Sequence, residues 1–255
     1  MTMKIAIVTG ASSGLGEEYV RCLAEGYDEI EAIWVIARRE DRLNQLKEKY
    51  PQKTILPIPM DLTLNDSYAA FRERLEAEKP EVKALINNAG FGTLGNFDEM
   101  EMFSQTRMVD LNNRAMTAMA SAVLPYMKRG SFMVNVCSIA SFAPNPRMTV
   151  YCSTKAYVLS FSKSLRFELK GKGINVLAVC PGPMDTEFLP AAGIEKGSSH
   201  TFDTLPRVNP AMAAERSLKH AAKGHGIYTP RLFFKLYRLL AKLLPHGLVM
   251  HMSKT

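Results

Sequence analysis

The 255-residue sequence predicts a single α/β domain in which helices cover both faces of a doubly wound parallel sheet, making three layers. Short, wholly apolar runs alternate with amphipathic, helix-like runs along the chain. Apolar runs of this kind suit strands that are buried on both faces, and the alternation is typical of successive β-α-β units. No internal repeat or low-complexity linker divides the chain. We therefore expect residues 1–255 to form one domain, a common size for this class.

The elements follow in order. The predicted strands lie in the runs KIAIV, AIWVIA, TILPI, KALINN, FMVNVCS, INVLAVC and GIYTP. Helical patterns cover residues 17–26, 41–50, 67–79, 100–127 and 150–173. Residues 183–225 are rich in Gly, Ser and Pro, and a connection of that length is usually functional, so they predict a substrate lid. Residues 229–255 form a C-terminal extension.

Composition is that of an ordinary globular protein, with 47% hydrophobic and 22% charged residues. The net charge of +7 favours an anionic partner, which could be nucleic acid, a membrane surface or a phosphorylated cofactor. Neither the cysteines nor the histidines show metal-ligand spacing, so no metal is predicted. The chain shows no signal-peptide pattern and no apolar run of transmembrane length, and the expected location is cytoplasmic.

The stretch TGASSGLG, residues 9–16, links the first predicted strand to the first helix. Glycine loses more conformational freedom on folding than any other residue, so three glycines in seven residues need a reason. In a doubly wound sheet this loop lies at the carboxyl edge, where backbone N–H groups and a helix N-terminus bind a pyrophosphate. Gly10, Gly14 and Gly16 would allow that approach, which indicates a Rossmann-like dinucleotide site.

The end of the second strand bears on the choice of dinucleotide. An acidic residue there suits the ribose hydroxyl of NAD, whereas arginine accommodates the 2′-phosphate of NADP. The chain has Arg38 and Arg39 after Ala37. We therefore predict NADP(H), with Arg38 as the better candidate and Arg39 either stacking on the adenine or facing solvent. The alternative is that both arginines are only surface charges.

Four further features follow in order: NNAG at residues 87–90, Ser138, YCSTK at 151–155 and PGPMDT at 181–186. Together with TGASSGLG they resemble the short-chain dehydrogenase/reductase family over about residues 3–190. The resemblance implies hydride transfer between a nicotinamide dinucleotide and an alcohol or carbonyl. It also implies a catalytic quartet of Asn112, Ser138, Tyr151 and Lys155, in which Asn112 would bend its helix and position a water behind Lys155. Asn113 is the alternative to Asn112.

The glycine loop, the two arginines and the family motifs together give the predicted cofactor-binding residues. They are Gly10, Ser12, Ser13, Gly14, Leu15, Gly16, Arg38, Arg39, Asp61, Leu62, Asn88, Ala89, Gly90, Tyr151, Lys155, Pro181, Gly182 and Thr186.

Physical chemistry also supports a catalytic role for Tyr151 and Lys155. Reduction of a ketone needs a proton donor at the carbonyl oxygen, and a tyrosine can serve if its pKa of about 10 is lowered. A cation about 4 Å away supplies roughly 4 kcal/mol at an effective dielectric of about 20, which is enough to bring that pKa toward neutrality. Residues four apart share a helix face. We therefore expect Lys155 to lower the pKa of Tyr151.

The predicted substrate is a small hydrophobic carbonyl or alcohol. The lid carries apolar side chains such as Phe188, Ile194 and Phe202, and no cluster of polar residues suggests a sugar. The predicted function is NADP(H)-dependent interconversion of a hydrophobic ketone and a secondary alcohol. The alternatives are a 3-oxoacyl-thioester reductase and a non-catalytic, NADPH-binding redox sensor. Nucleic-acid binding is disfavoured because basic and aromatic residues are not interleaved.

The C-terminal extension predicts an amphipathic helix that stops near Pro245. Its charges, Arg231, Lys235, Arg238 and Lys242, recur on one face, and leucines and phenylalanines cover the other. Three uses remain open: docking on the protein's own core, covering a subunit or substrate pocket, and contact of residues 231–245 with an anionic membrane. The family resemblance implies a homodimer or homotetramer formed through the helices starting near Met100 and Val150.

Overall fold

The structure is a computed structural model that describes residues 2–195, 197 and 199–252. Within these residues, seven parallel strands form one sheet in the order β3-β2-β1-β4-β5-β6-β7. The strands are β1 Lys4–Thr9, β2 Ala32–Ala37, β3 Thr54–Pro59, β4 Glu81–Asn87, β5 Met127–Val136, β6 Asn175–Val179 and β7 Ile227–Tyr228. A strand lies at each of the predicted apolar runs, which confirms the doubly wound, three-layer, Rossmann-like fold.

Helices flank the sheet and form the C-terminal extension. They are α1 Gly14–Gly26, α2 Glu40–Lys49, α3 Asp66–Glu78, α4 Met102–Val109, α5 Met116–Val123, α6 Thr149–Leu169, α7 Phe188–Ala191, α8 His200–Thr204, α9 Pro210–Ala222, α10 Leu232–Leu243 and α11 His246–Met252. The helix predicted over residues 100–127 is interrupted in its middle, because a π-helical turn, Asp110–Ala115, separates α4 from α5.

Strand β1 shows why the central runs are apolar throughout. Ala6 and Val8 pack in the cluster formed with α1, α2 and α9. Ile5 and Ile7 pack in the cluster formed with α3 and α5 on the opposite face. Since successive side chains of a strand point to opposite faces, both sets must be apolar. The sheet order reverses between β1 and β4, and their carboxyl ends form the crevice where such folds bind ligands.

A line of buried polar side chains fixes α6 against the sheet. Asn87 of β4 donates from Nδ2 to Oδ1 of Asn135 on β5 at 2.9 Å. Asn135 in turn donates to Oγ of Ser162 on α6 at 2.9 Å, and Ser162 donates to the Val158 carbonyl. Breaking such a line would leave buried polar groups unpaired, so it holds α6 in one position.

The predicted lid, residues 183–225, is not a single irregular connection. Helices α7 and α8 lie near the cleft, but α9 packs on α1, and the Tyr19 hydroxyl hydrogen-bonds Ser217 Oγ at 2.7 Å. The α9 start carries the usual signals, since Asn209 Oδ1 accepts from Met212 N and Pro210 follows it. Helix α9 therefore belongs to the helical layer, and the cleft border ends before it.

The C-terminal extension forms α10 and α11, and α10 ends at Leu243, just before Pro245. Helix α10 packs on the domain through Phe234 and Ala241, which are buried. Phe234 lies against Gly182, where an added Cβ would be 2.2 Å from its ring. The leucines and phenylalanines of its large apolar face, apart from Phe234, are mostly exposed. Within the described residues, no helix is long and apolar enough to cross a membrane.

Leu75 provides a test of the packing under α3. It is 1% exposed, whereas Leu64, in the turn that precedes α3, is 56% exposed. We expect Leu75→Ala to lower the free energy of unfolding by about 2–5 kcal/mol, because it removes buried methyl groups and leaves a cavity. Leu64→Ala, the control with the same chemistry, should change it by less than about 0.5 kcal/mol. Equal denaturant midpoints for the two variants would contradict this packing.

Candidate active site

A cavity of about 1190 Å³ opens at the carboxyl ends of the central strands. Of the residues predicted from the sequence, all but Gly16 and Asn112 line it. One end is bordered by the glycine loop and the residues that follow β2 and β3. The other end is bordered by α7, α8 and the C-terminal helices, with Ser138, Tyr151 and Lys155 between. The cavity therefore joins the predicted nucleotide-binding loop to the predicted reactive groups.

Glycine is required at the three positions of the loop for two different structural reasons. Gly10 and Gly14 have φ values of +65° and +56°, which non-glycine residues rarely adopt. Gly16 lies inside α1, where an added Cβ would be 2.0 Å from the Gly10 carbonyl oxygen. Gly16 thus lets the loop fold back on its own helix and does not line the cavity. The N-terminal backbone N–H groups of α1 consequently lie at the cavity, as an anion site requires.

Thr9 and Asn88 tie the glycine loop to the loop after β4. Thr9 Oγ1 accepts from the backbone N–H groups of Asn88 and Ala89, at 3.0 and 3.1 Å. Asn88 donates from Nδ2 to the carbonyls of Thr9 and Gly10, both at 3.1 Å. These hydrogen bonds connect the loop after β1 to the loop after β4, and the Asn88 amide group makes two of them.

Tyr151 and Lys155 lie one turn apart on α6, and both are buried. Lys155 Nζ is 5.7 Å from the centre of the Tyr151 ring. Ser138 is the N-cap of a short 3₁₀ turn after β5, and its Oγ accepts a hydrogen bond from Ala140 N at 3.1 Å. An added Cβ on Gly92 would be 2.8 Å from the Tyr151 ring, so the loop after β4 packs closely on the phenol. The three predicted groups share one buried region of the cavity.

The electrostatics differ from the expectation that Lys155 lowers the Tyr151 pKa. Burial raises the pKa of Tyr151 above its ordinary value, and a hydrogen bond with Ser138 opposes part of that rise. Burial also lowers the pKa of Lys155, whose Nζ donates to the Val136 carbonyl at 2.9 Å. The expectation was wrong because it considered only the attraction between the lysine charge and the phenolate. It neglected the desolvation of the phenol, which raises the Tyr151 pKa.

The π-helical turn separates the roles of Asn112 and Asn113. Asn112 Oδ1 accepts from Phe91 N at 3.0 Å, and its Nδ2 donates to the Phe91 carbonyl at 2.9 Å. It lies behind Gly90, where an added Cβ would be 2.8 Å from Asn112 Oδ1 and 3.6 Å from Lys155 Nζ. Asn113 instead donates to the Thr154 carbonyl. Asn112 thus holds the backbone next to Lys155, and its role in positioning a water stays a prediction.

Arg39 is held in place at the other end of the cavity. It donates to Ser12 Oγ at 3.1 Å and forms an ion pair with Glu187 at 2.9 Å. Two positions were predicted for Arg39 from the sequence, stacking on the adenine or facing solvent. Contacts of Arg39 with Ser12 and Glu187 were not among the predictions. No pattern in the sequence indicates the contact with Glu187, because it depends on how residues 183–187 fold over the glycine loop. Thr186 also lies close to the glycine loop, since an added Cβ on Gly14 would be 3.1 Å from the Thr186 side chain.

Asp61 and Arg38 lie near each other beside Arg39. Burial raises the pKa of Asp61, but hydrogen bonds from Thr63 and the nearby charges of Arg38 and Arg107 outweigh it, so the pKa is lowered overall. Asp61 Oδ1 accepts from both the backbone N and the hydroxyl of Thr63, at 2.9 and 2.7 Å. The carboxylate is therefore ionised and fixed, and Arg38 lies at the rim of the cavity.

The substrate end of the cavity is lined by apolar side chains. Phe188 lies with its ring centre 5.9 Å from that of Tyr151. The apolar residues of the lid were predicted from the sequence, but further lining residues in the C-terminal segment were not. These are Phe233, Phe234, Leu236, Tyr237, Leu240, Leu244 and Val249. The amphipathic pattern of the C-terminal extension could have indicated these residues, since covering a substrate pocket was one of the three uses considered for that helix.

Comparison with known proteins agrees with the fold. Sulfoacetaldehyde reductase 2 of Chromohalobacter salexigens is 31% identical over 211 residues, covering 79% of this chain and 82% of that protein. A short-chain dehydrogenase of Sphingobium yanoikuyae in complex with NADPH is 30% identical with a TM-score of 0.77, covering 97% and 95% of the two chains. The bulky-bulky ketone specific alcohol dehydrogenase of Comamonas testosteroni is 30% identical with a TM-score of 0.73, covering 95% and 94%.

These similarities and the parallel sheet define the class of protein as an oxidoreductase with a Rossmann-like nucleotide-binding fold. The family model for short chain dehydrogenase matches residues 4–196. The chain belongs to the short chain dehydrogenase family.

Gly16 allows a test of the glycine loop. We expect Gly16→Ala to destabilise the protein by about 1–3 kcal/mol and to weaken binding of a nicotinamide dinucleotide, because the new Cβ must displace the Gly10 carbonyl. Gly26→Ala is the matched control at the other end of α1, where an added Cβ meets nothing within 4 Å. Thermal unfolding and NADPH fluorescence titration measure both effects. A Gly16→Ala variant that matches Gly26→Ala in both would refute the close approach.

Proposed function

We propose that this protein is an NADP(H)-dependent oxidoreductase that interconverts a hydrophobic ketone and a secondary alcohol. The observation that carries the proposal is the continuity of the cavity, which runs from the glycine loop past the buried Tyr151, Lys155 and Ser138 into an apolar chamber. A nucleotide loop alone fits many functions, and a tyrosine-lysine pair alone occurs often on helices. Their meeting in one cavity supports hydride transfer next to a proton donor.

The residues at the nucleotide end fit a phosphorylated dinucleotide. The α1 N-terminus would hold the pyrophosphate. Arg38 and Arg39 would hold the 2′-phosphate, and Ser12 already supports Arg39. Asp61 and Leu62 would contact the adenine, and residues 88–90 the ribose. Pro181, Gly182 and Thr186 would enclose the nicotinamide, which when bound supplies or accepts the hydride.

In the proposed reduction, Tyr151 donates its phenolic proton to the carbonyl oxygen of the substrate. Burial keeps this phenol protonated at neutral pH, since the pKa of Tyr151 is raised. Ser138 holds the same carbonyl oxygen, while its own Oγ is oriented by the Ala140 N–H. Lys155 uses one N–H on the Val136 carbonyl and has two further donors for the ribose and for returning a proton to Tyr151. Asn112 acts as a positioning residue through Phe91.

The apolar chamber supports a hydrophobic substrate, and the structural similarity to an alcohol dehydrogenase described as specific for bulky-bulky ketones favours a large one. Asn145, which also lines the cavity, has a buried Oδ1 without a hydrogen-bond partner in the described part of the chain. We assign it as one acceptor for a polar group of the substrate.

We further propose that the protein is a homo-oligomer that pairs through α4 and α6. Five large apolar side chains on these helices are exposed: Met102, Phe103, Val109, Tyr157 and Phe167. Exposed apolar side chains on adjacent helices are typical of subunit interfaces. Helices α4 and α6 also contact one another, so the five residues lie on neighbouring elements.

Removing the phenolic hydroxyl tests the proposed chemistry. We expect Tyr151→Phe to lower the rate of NADPH oxidation with bulky apolar ketones by about 10²–10⁴-fold, because the proton donor is lost. NADPH binding, followed by fluorescence, should change little. Tyr157→Phe is the control on the same helix, where the hydroxyl only contacts Thr117. Full activity in Tyr151→Phe would exclude the mechanism, and tight NADPH binding with no turnover of any ketone would favour the redox-sensing alternative.

The arginines test the choice of dinucleotide. We expect Arg38→Ala and Arg39→Ala each to raise the KM for NADPH about 10–100-fold, as loss of a charge-assisted hydrogen bond of about 1.5–3 kcal/mol implies. The KM for NADH should change far less. Arg72→Ala, which removes an exposed arginine on α3 paired with Glu76, serves as the control. Equal changes in the two KM values would reject the assignment of NADP(H).

A further inference from the structure

We propose that α10 binds an anionic lipid surface through an exposed apolar face. We call this surface the leucine face; it consists of Leu232, Phe233, Leu236, Leu239, Leu240 and Leu243. Leu232 and Leu243 are 71% and 69% exposed, and the other four are about half exposed. Contiguous apolar surface of this kind marks an interaction site on most proteins that have it.

The way in which α10 docks leaves the leucine face outward. Phe234 and Ala241, two turns apart, are buried against the domain, and Tyr237 between them is half-buried. At 3.6 residues per turn, Leu232, Leu239 and Leu243 lie on the side of the helix opposite to these residues. The helix is therefore fixed to the protein by a narrow arc, and Leu232, Leu239 and Leu243 point away from the protein.

Cations run alongside the leucine face. Arg231, Lys235, Arg238 and Lys242 fall within one arc of the helix, between the docked arc and the leucines. None of them forms an ion pair within the described residues, and Arg238 donates only to Thr229 Oγ1 there. From residue 216 to residue 255 the sequence contains lysines and arginines but no aspartate or glutamate. An apolar row beside a basic row is the pattern of a helix that lies in a membrane interface.

Lipid fits this face better than a second copy of the chain. In a symmetric contact the same patch meets itself, so two sets of four cations would approach each other. No carboxylate of residues 216–255 could pair with them. Anionic lipid headgroups complement these charges, at about 1 kcal/mol for each cation near the surface. The acyl region takes up the leucines.

The leucine face continues into the cavity. Phe233, Leu236 and Leu240 belong to this face and also line the substrate end of the cavity. A compound dissolved in lipid could therefore pass along these side chains to Tyr151 without crossing water. This last step rests on the proposed function, whereas binding of α10 to lipid does not.

The test is sedimentation of the full chain with phosphatidylcholine vesicles, with and without phosphatidylserine. The wild type should bind only the anionic vesicles, and less at high salt. The combined substitution Leu232→Gln, Leu239→Gln and Leu243→Gln should reduce binding by about tenfold or more, because less apolar surface enters the interface. Lys235→Ser with Lys242→Ser should reduce it by a similar factor. Leu64→Gln is the control for an exposed leucine elsewhere.

None of the five substituted residues of α10 lines the cavity, so activity on a water-soluble ketone should stay unchanged and show that the variants fold. Three results would overturn the proposal: no binding of the wild type to anionic vesicles, equal binding of wild type and leucine variant, or a smaller assembly for the leucine variant in analytical ultracentrifugation. The second means attraction by charge alone, and the third means that the face pairs two copies. Lipid binding without turnover of any ketone would reject only the proposed function.

Discussion

The account depends on one constraint, a lysine ammonium buried beside a phenol. A buried cation is costly unless polar groups surround it, and in the described residues Lys155 Nζ donates to one carbonyl, that of Val136. The rest of the site holds α6 so that this contact persists. Ser162 bonds to Asn135 in the sheet, Thr154 bonds to both Asn112 and Asn113, and the Cys137 thiol donates to the Lys155 carbonyl. Helix α6 is therefore fixed from the sheet and from the π-helical turn.

The same burial decides the state of the tyrosine. Desolvation lowers the pKa of Lys155 and raises the pKa of Tyr151, so the pair is arranged for a neutral phenol. A protonated phenol is the form that reduces a ketone, and a deprotonated one is the form that oxidises an alcohol. In the proposed reaction, the protonated phenol is therefore the form that is present at neutral pH. Burial raises the pKa of the Cys137 thiol, but its hydrogen bond with Cys180 and the charge of Lys155 outweigh this, so that pKa is lowered overall.

Much of the fold and of the site could be predicted from the sequence. The strand at AIWVIA is buried on both faces, and an apolar run shows this directly. The glycine loop and the residues of the family motifs also lie where their order predicted, since both depend on local chain geometry. Other features depend on distant contacts. The Arg39–Glu187 ion pair, the sign of the Tyr151 pKa shift and the packing of α9 on α1 require the folded arrangement of segments far apart in sequence.

Helix α10 shows the same limit. Its pattern separates charged from apolar residues, but the contact of Phe234 with Gly182 selects which arc packs inward. The central claim, hydride transfer beside Tyr151, is tested most directly with NADPH that carries deuterium at both hydrogen positions of nicotinamide C4 and with a bulky apolar ketone. The account predicts an alcohol that carries one deuterium on its carbinol carbon, formed by the wild type and lost in Tyr151→Phe. An alcohol without deuterium, or labelled alcohol formed equally by both proteins, would contradict it.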